Sequence, residues 1–281
     1  MEDRQKYWDS IANHVAKYDA RWFSSGFIGN ETWFNEYNRR RITKAIFSAI
    51  PDKKYDLILD VGCGVGQWTT LLATKLGADV TGVDLSPKMI ELARKRSAML
   101  KVRNAKFQVM NAANMNFEND LFDLVNCVTV LQHIPDEKLW KKAIKEIARV
   151  TKPGGLILLL EAAPKKFRGH RKRGDLYTHL EGEYVEEFEK AGAFFIEERK
   201  VSNVLSLLIL RFGEGLLYLH AKTIGKKKLN FYSAEASGYK PKSMYPSYMF
   251  TIILAQLVEK FPLFKKLDGE KILLFQKSKR H

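Results

Sequence analysis

Cysteine is scarce in this 281-residue chain: Cys63 and Cys127 are its two thiols. Two cysteines build no disulfide framework, and neither sits in a cluster with metal-ligand spacing, so no metal site is expected. The pair suits a reducing compartment, and the expected location is cytoplasmic. The start, MEDRQKYWDS, is charged and lacks the apolar segment of an export signal. No run of 18 uncharged apolar residues occurs, so no spanning helix is expected. Internal repeats are absent too. What remains is 46% apolar and 28% charged, enough to bury a core in one large domain or a domain with an added lobe.

Charge is abundant and uneven. The net charge is +15. Residues 1–161 carry 24 Lys/Arg against 19 Asp/Glu, and residues 162–281 carry 23 against 13. The excess therefore sits in the second half. Such a lobe fits an anionic partner, whether nucleic acid, a lipid headgroup or a phosphorylated substrate. It equally fits a lysine-rich solvated surface.

The chain is organised around YDLILDVGCGVGQWTTLLA, residues 55–73. An apolar run, Leu57 to Leu59, ends on Asp60. Gly62, Gly64 and Gly66 follow, and then Trp68, Leu71 and Leu72 at helical spacing. That order reads as buried strand, tight turn and helix. The glycines let backbone N–H groups come close to a ligand. A dinucleotide fingerprint would place its third glycine at position 67, which is Gln67. The pattern is G-x-G-x-G with an acid two places ahead. A diphosphate gains nothing from that acid, whereas a ligand with a cationic amino group does, and S-adenosylmethionine carries one. In ADVTGVDLSPKMIELAR a second strand ends on Asp84, where a strand–helix–strand unit returns to the same sheet edge. A carboxylate there can accept both hydroxyls of a ribose.

Together ILDVGCGVGQW, VTGVDLSPKMIELAR, FDLVNCVTVLQHIPD and ARVTKPGGLILLLE resemble, in order and spacing, the class I S-adenosylmethionine-dependent methyltransferases. The resemblance covers residues 55–161 and, more weakly, 177–201. It implies an α/β Rossmann-like fold. The sheet would have seven mostly parallel strands with an antiparallel last strand. Residues 1–54 would form an N-terminal helical cap, 55–201 the cofactor-binding core, 202–269 a helical insertion, and 270–281 the last strand and tail.

The resemblance also implies a site. Asp60, Gly62, Cys63, Gly64 and Gly66 would form the methionine side of S-adenosylmethionine. Trp68 would pack on the loop or face the core. Asp84 would bind the ribose, with Leu85 and Met89 flanking the adenine. Asn111 and Ala112 stand where the family commonly has an acid and a small residue. Asn111 can still accept from an adenine amino group through its side-chain carbonyl. Cys127 and Val128 end the fourth strand, beside the first. In a helix expected over residues 31–50, Arg39 lies in line with Ile42, Ile46 and Ile50. Arg39 would meet the cofactor carboxylate or rest its stem on the apolar stripe with its head in water.

His133 would lie within reach of the transferable methyl. It is a candidate general base, since an imidazole titrates near neutral pH, or else a hydrogen-bonder that closes the pocket. Lys165 to Arg173 hold six basic residues in a loop bordering the acceptor pocket, followed by Tyr177 and His179 on the expected substrate side. Residues 202–269 contain two apolar segments with lysines at their edges. They read as helices over the acceptor entrance, as a plain helical subdomain, or as an interfacial contact at the inner membrane face. The expected reaction is methyl transfer to a small acceptor, lipid-like or phosphorylated. RNA methylation by the basic half is the alternative, less favoured because no RNA-binding module is visible. A non-catalytic cofactor-binding scaffold is a third class. The motifs leave the acceptor atom and oligomeric state open.

Overall fold

The computed structural model describes residues 2–16, 33–165, 177–201, Leu254 and 270–279. The chain divides into two units. One holds residues 1–29, 49–199 and 271–281; the other holds 30–48 and 200–270. The expected helical insertion at 202–269, most of the basic loop after Lys165, and Tyr18 of the expected N-terminal cap lie outside the described residues.

The first unit is built on a seven-stranded sheet: β1 (Leu57–Val61), β2 (Asp79–Asp84), β3 (Ala105–Val109), β4 (Phe122–Val128), β5 (Thr151–Ala162), β6 (Ala193–Lys200) and β7 (Glu270–Lys277). Their order across the sheet is β3-β2-β1-β4-β5-β7-β6. The pairs β1–β2, β1–β4, β2–β3 and β4–β5 are parallel. Between β6 and β7 the backbone bonds run from Ser278 to Gly192 and from Val201 to Glu270, 2.9 Å each. One strand's numbers rise as the other's fall, so β7 is antiparallel, as expected.

Central strands buried on both faces need continuous apolar runs, and these have them. Ile58, Leu59 and Val61 of β1, Leu124 and Val125 of β4, and Ile157 to Leu160 of β5 are closed to solvent. Helices α3 (Gln67–Leu76), α4 (Pro87–Met99), α5 (Glu137–Val150) and α6 (Glu181–Lys190) accompany the strands. Helix α5 buries Trp140, Ala143, Ile144, Ile147 and Ala148 while its lysines face outward. Its start is capped by Asp136, whose side chain accepts from Leu139 N at 2.8 Å.

Two local readings change. The sequence suggests Lys152–Gly155 as a turn into the fifth strand, but β5 already begins at Thr151, opposite Phe122. The register shifts before Leu156 meets Leu124. The segment is thus a bulge inside the strand, with Gly154 at φ 75° supplying the bend. In α3 the buried face carries Gln67, Thr69, Thr70, Leu72 and Ala73, leaving Trp68 and Leu71 half-buried. Thr69 is buried because it has a polar partner inside, described below.

Helix α1 (Glu2–Val15) packs on α4 and on the glycine loop. Trp8, Ile11, Ala12 and Val15 cluster with Val65, Met89 and Leu92. In the second unit, α2 (Trp33–Ala49) buries Ile42 and Ile46, and Arg41 donates to the carbonyl of Val201.

Candidate functional site

The carboxyl ends of β1, β2, β3, β4 and β5 share one edge of the sheet, and the sequence-predicted residues of the first unit gather along it. In an open α/β sheet this edge is where ligands bind. Four segments build it: the loop after β1, the turn after β2, the turn after β3, and the crossing from β4 to a single 3-10 turn, Leu131–His133.

The glycine loop needs its glycines. Gly62, Gly64 and Gly66 have φ of 64°, 51° and 73°, a region costly for residues with a Cβ. Space is equally short. A Cβ at Gly62 would stand 2.3 Å from Val130 Cγ2, and one at Gly66 would stand 2.8 Å from Phe107 Cε1. Cys63 N donates to Val83 O at 2.9 Å, tying the loop to β2. Cys63 and Cys127 are both buried, and burial pushes each thiol well above its ordinary pKa, so neither is a ready nucleophile.

Asp60 sits behind the loop. Its carboxylate is 1% exposed and accepts from Thr69 Oγ1 at 2.6 Å and Asn126 Nδ2 at 2.7 Å. Burial drives its pKa up to about 6, against the opposing pull of those bonds. Its effect on a cationic group beyond the loop is therefore exerted through the field rather than by open contact. Neither Thr69 nor Asn126 is singled out by the sequence reading. Asn126, a polar residue in the middle of an apolar central strand, was the available signal.

Asp84 ends β2 beside the loop and is partly exposed. Its Oδ1 accepts from Ser86 N and its Oδ2 from Gly64 N, each at 2.9 Å. One N–H per oxygen leaves acceptor capacity on both, enough for two neighbouring hydroxyls. A narrow left-handed backbone cradle beside a carboxylate with two remaining acceptor sites fits a ribose-bearing ligand such as S-adenosylmethionine. Burial raises Asp84 to about 6 as well.

Of the expected adenine neighbours, Met89 is buried against α1 and the loop, and Leu85 is half-buried. Asn111 and Ala112 are half-buried in the turn after β3, where Asn111 Oδ1 accepts from Ala113 N at 2.9 Å. Cys127 and Val128 end β4 one strand away from Asp60. Arg39 is half-buried in α2 of the second unit, its carbonyl accepting from Thr43.

Helix α1 reaches this edge from two sides. Ser86 Oγ donates to Asp9, and Lys88 Nζ donates to Asn13 Oδ1 at 3.0 Å. At the other side Trp8 meets His133 edge to face, with ring centroids 4.9 Å apart. His133 is half-buried. Farther on, Tyr177 is 41% exposed, and its N–H donates to the Gln132 carbonyl at 2.6 Å. His179, expected on the substrate side, has its ring in aromatic surroundings. It is 7% exposed and stacks on Trp140 at 3.9 Å and 10°. Aromatic burial has drawn it into the core between α5 and α6. Among the described residues no group of His, Cys, Asp and Glu could hold a metal ion. Nor is any described helix long and apolar enough to cross a membrane.

Comparison with known proteins places this edge within a domain of known kind. Residues 58–155 match the family model described as a methyltransferase domain. The chain is 38% identical over 110 residues to the chloroplastic tocopherol O-methyltransferase of Arabidopsis thaliana, covering 39% of this chain and 31% of that protein. It is 31% identical over 163 residues to the demethylmenaquinone methyltransferase of Bacillus mycoides, covering 57% of this chain and 64% of that protein. The match thus spans less than two thirds of either relative. Among solved structures, the [4+2]-cyclase SpnF superposes with a TM-score of 0.64 at 21% identity, over 98% of this chain and 95% of that one. At that identity the likeness speaks for the fold alone. Residues 58–155 therefore form a domain of the methyltransferase kind.

Proposed function

We propose that this chain transfers a methyl group from S-adenosylmethionine to a small, lipid-like acceptor of the phenol or quinol kind. The observation that carries the reading is one shared edge. On it stand the glycine loop, an Asp84 carboxylate with two remaining acceptor sites, and His133 two strands from Asp84. Similarity to methyltransferases named for tocopherol and demethylmenaquinone supports the acceptor class. So do the apolar, lysine-edged segments of residues 202–269.

The bound cofactor supplies an electrophilic methyl on a sulfonium. The chain's own work is to hold cofactor and acceptor in line and to keep water out. Asp84 takes the ribose hydroxyls, the loop backbone lies along the methionine portion, and Asp60 adds a negative field behind it. His133 takes the proton when the acceptor is a hydroxyl. Trp8 and the rest of α1 close the mouth. An acceptor of this kind resides in a bilayer, so the reading includes peripheral contact at the inner membrane face through basic residues.

The test is transfer from methyl-labelled S-adenosylmethionine to separated lipid, RNA and protein fractions. Label is expected in the lipid fraction, in a phenol or quinol. Label confined to RNA would overturn the acceptor class and favour the nucleic-acid alternative.

A further inference from the structure

The crossing from β4 to the 3-10 turn is strained, and a buried acid holds it. Thr129 has φ 55°. A β-branched residue there is a real outlier, and such strain persists only where surrounding bonds over-determine it. The bonds are visible. Glu161, at the end of β5 and closed to solvent, accepts three consecutive backbone N–H groups. Val130 N and Leu131 N reach its Oε1 at 2.9 Å each, and Gln132 N reaches Oε2 at 3.3 Å. Thr129 N donates to Leu160 O at 2.8 Å, and Gln132 Oε1 accepts from Ala162 N at 3.3 Å. The crossing is thus clasped to β5 along four successive residues.

What the clasp positions is specific. The Val130 methyls press on the glycine loop where Gly62 leaves no room for a Cβ. His133 N donates to Val130 O at 2.9 Å, and the His133 ring meets Trp8. A few tenths of an ångström at Val130 would therefore be passed to both the loop and the imidazole. An apolar residue at position 161 would leave three amides unpaired and allow Thr129 to relax toward negative φ.

We propose that Glu161 is a positioning residue, whose carboxylate holds residues 129–133 in the strained turn that seats Val130 on the glycine loop and delivers His133 to the mouth of the site. The role in turnover rests on the methyl-transfer reading above; the geometric role does not.

Glu161→Ala and Glu161→Gln separate the two. Glutamine keeps one oxygen for the two 2.9 Å contacts and turns an amide toward Gln132 N. Its effect is expected to lie between alanine and wild type. The imidazole signal of His133, assigned by its loss in His133→Gln, reads the turn directly through the ring current of Trp8. In Glu161→Ala it is expected to move toward the value of an exposed histidine, and in Glu161→Gln part of the way. On the acceptor found in the lipid fraction, kcat is expected to fall about tenfold in Glu161→Ala and about threefold in Glu161→Gln. Calorimetric affinity for S-adenosylmethionine is expected to weaken too, but by less than kcat, since Cys63 N still ties the loop to Val83 O. An unmoved His133 signal in both folded variants would overturn the proposal. So would a fall in kcat matched by an equal loss of cofactor affinity, the mark of general destabilisation. If Glu161→Ala does not fold, Glu161→Gln carries the same test alone. If the wild-type chain transfers no methyl to any fraction, the proposed function fails while the His133 signal still judges the clasp.

Discussion

The indole of Trp8 stands edge-on to the imidazole of His133, 4.9 Å between ring centres and 89° between planes. A residue of the first helix thereby touches the segment that follows the fourth strand. Such a pair contributes about 0.5–1.5 kcal/mol beyond its buried area. Trp8→Ala is expected to lower kcat/KM by about threefold to tenfold, which steady-state kinetics on the native acceptor will measure. Unchanged kcat/KM would mean that α1 does not take part in closing the site.

Asp84 accepts from Gly64 N of the loop and from Ser86 N of its own turn and keeps room for more. Asp84→Ala is expected to weaken S-adenosylmethionine binding by about 1–3 kcal/mol, the scale of hydrogen bonds to a charged group. Titration calorimetry gives the number directly, and an unaltered Kd would remove Asp84 from the ribose site.

Thr69 and Asp60 make a pair whose importance lies in stability. Thr69→Val keeps the shape and removes a donor from a carboxylate that is 1% exposed. The expected loss is about 1–3 kcal/mol, measured by urea unfolding of the cofactor-free chain. A midpoint equal to wild type would show that Asn126 alone satisfies the acid.

The loop can be blocked and partly reopened. Gly62→Ala is expected to abolish measurable cofactor binding, because its Cβ would fall 2.3 Å from Val130 Cγ2 at a left-handed φ. Val130→Ala in the same chain removes both colliding methyls. That double variant should recover part of the affinity in the same calorimetric assay. The backbone strain of roughly 1–2 kcal/mol would remain. No recovery would mean that the strain, not the clash, decides.

These predictions separate what could be read from the chain and what could not. The glycine spacing and the acid at the end of β2 were legible because each is a local pattern, whereas the antiparallel return of β7 followed from the family resemblance. Glu161 with residues 130–132 and the stacking of Trp140 on His179 join residues far apart in sequence, and no local pattern announces them; for Asp60–Asn126 the one signal was a polar residue inside an apolar strand. The burial of His179 could not be read from the chain, since it depends on where α5 places Trp140. Thr69 was hidden by the apolar spacing of Trp68, Leu71 and Leu72, of which Leu72 alone lies on the buried face.

Asp60 and Asp84 also make stability and binding respond oppositely to acid. Burial raises both to about 6 in the fold, against about 4 for an unfolded aspartate. Between those values the folded chain binds more protons than the unfolded one, so these two groups favour the fold as pH falls from 6 toward 4. Cofactor binding needs them ionised, so affinity is expected to hold above pH 7 and to weaken below 6. Glu198, held well below the usual carboxylate range by a hydrogen bond with Glu181 and by Lys165 and Lys271, acts the usual way and costs stability only at lower pH. Calorimetry and thermal unfolding from pH 5 to 8 check the pattern. Affinity that stays constant down to pH 5 would contradict the raised carboxylates.

Strand β7 lies between β5 and β6, although the chain makes it last among these strands. Until residues 270–277 have left the ribosome, the nascent sheet has an open lane bordered by two unpaired edges. One of those edges belongs to β5, whose run from Leu156 to Leu160 is buried in the core. Closing the lane brings together segments separated by a stretch of chain as long as the one that holds β1 to β5, a slow step for any polypeptide. Strand edges left open in this way are open to pairing with a neighbouring chain until β7 arrives.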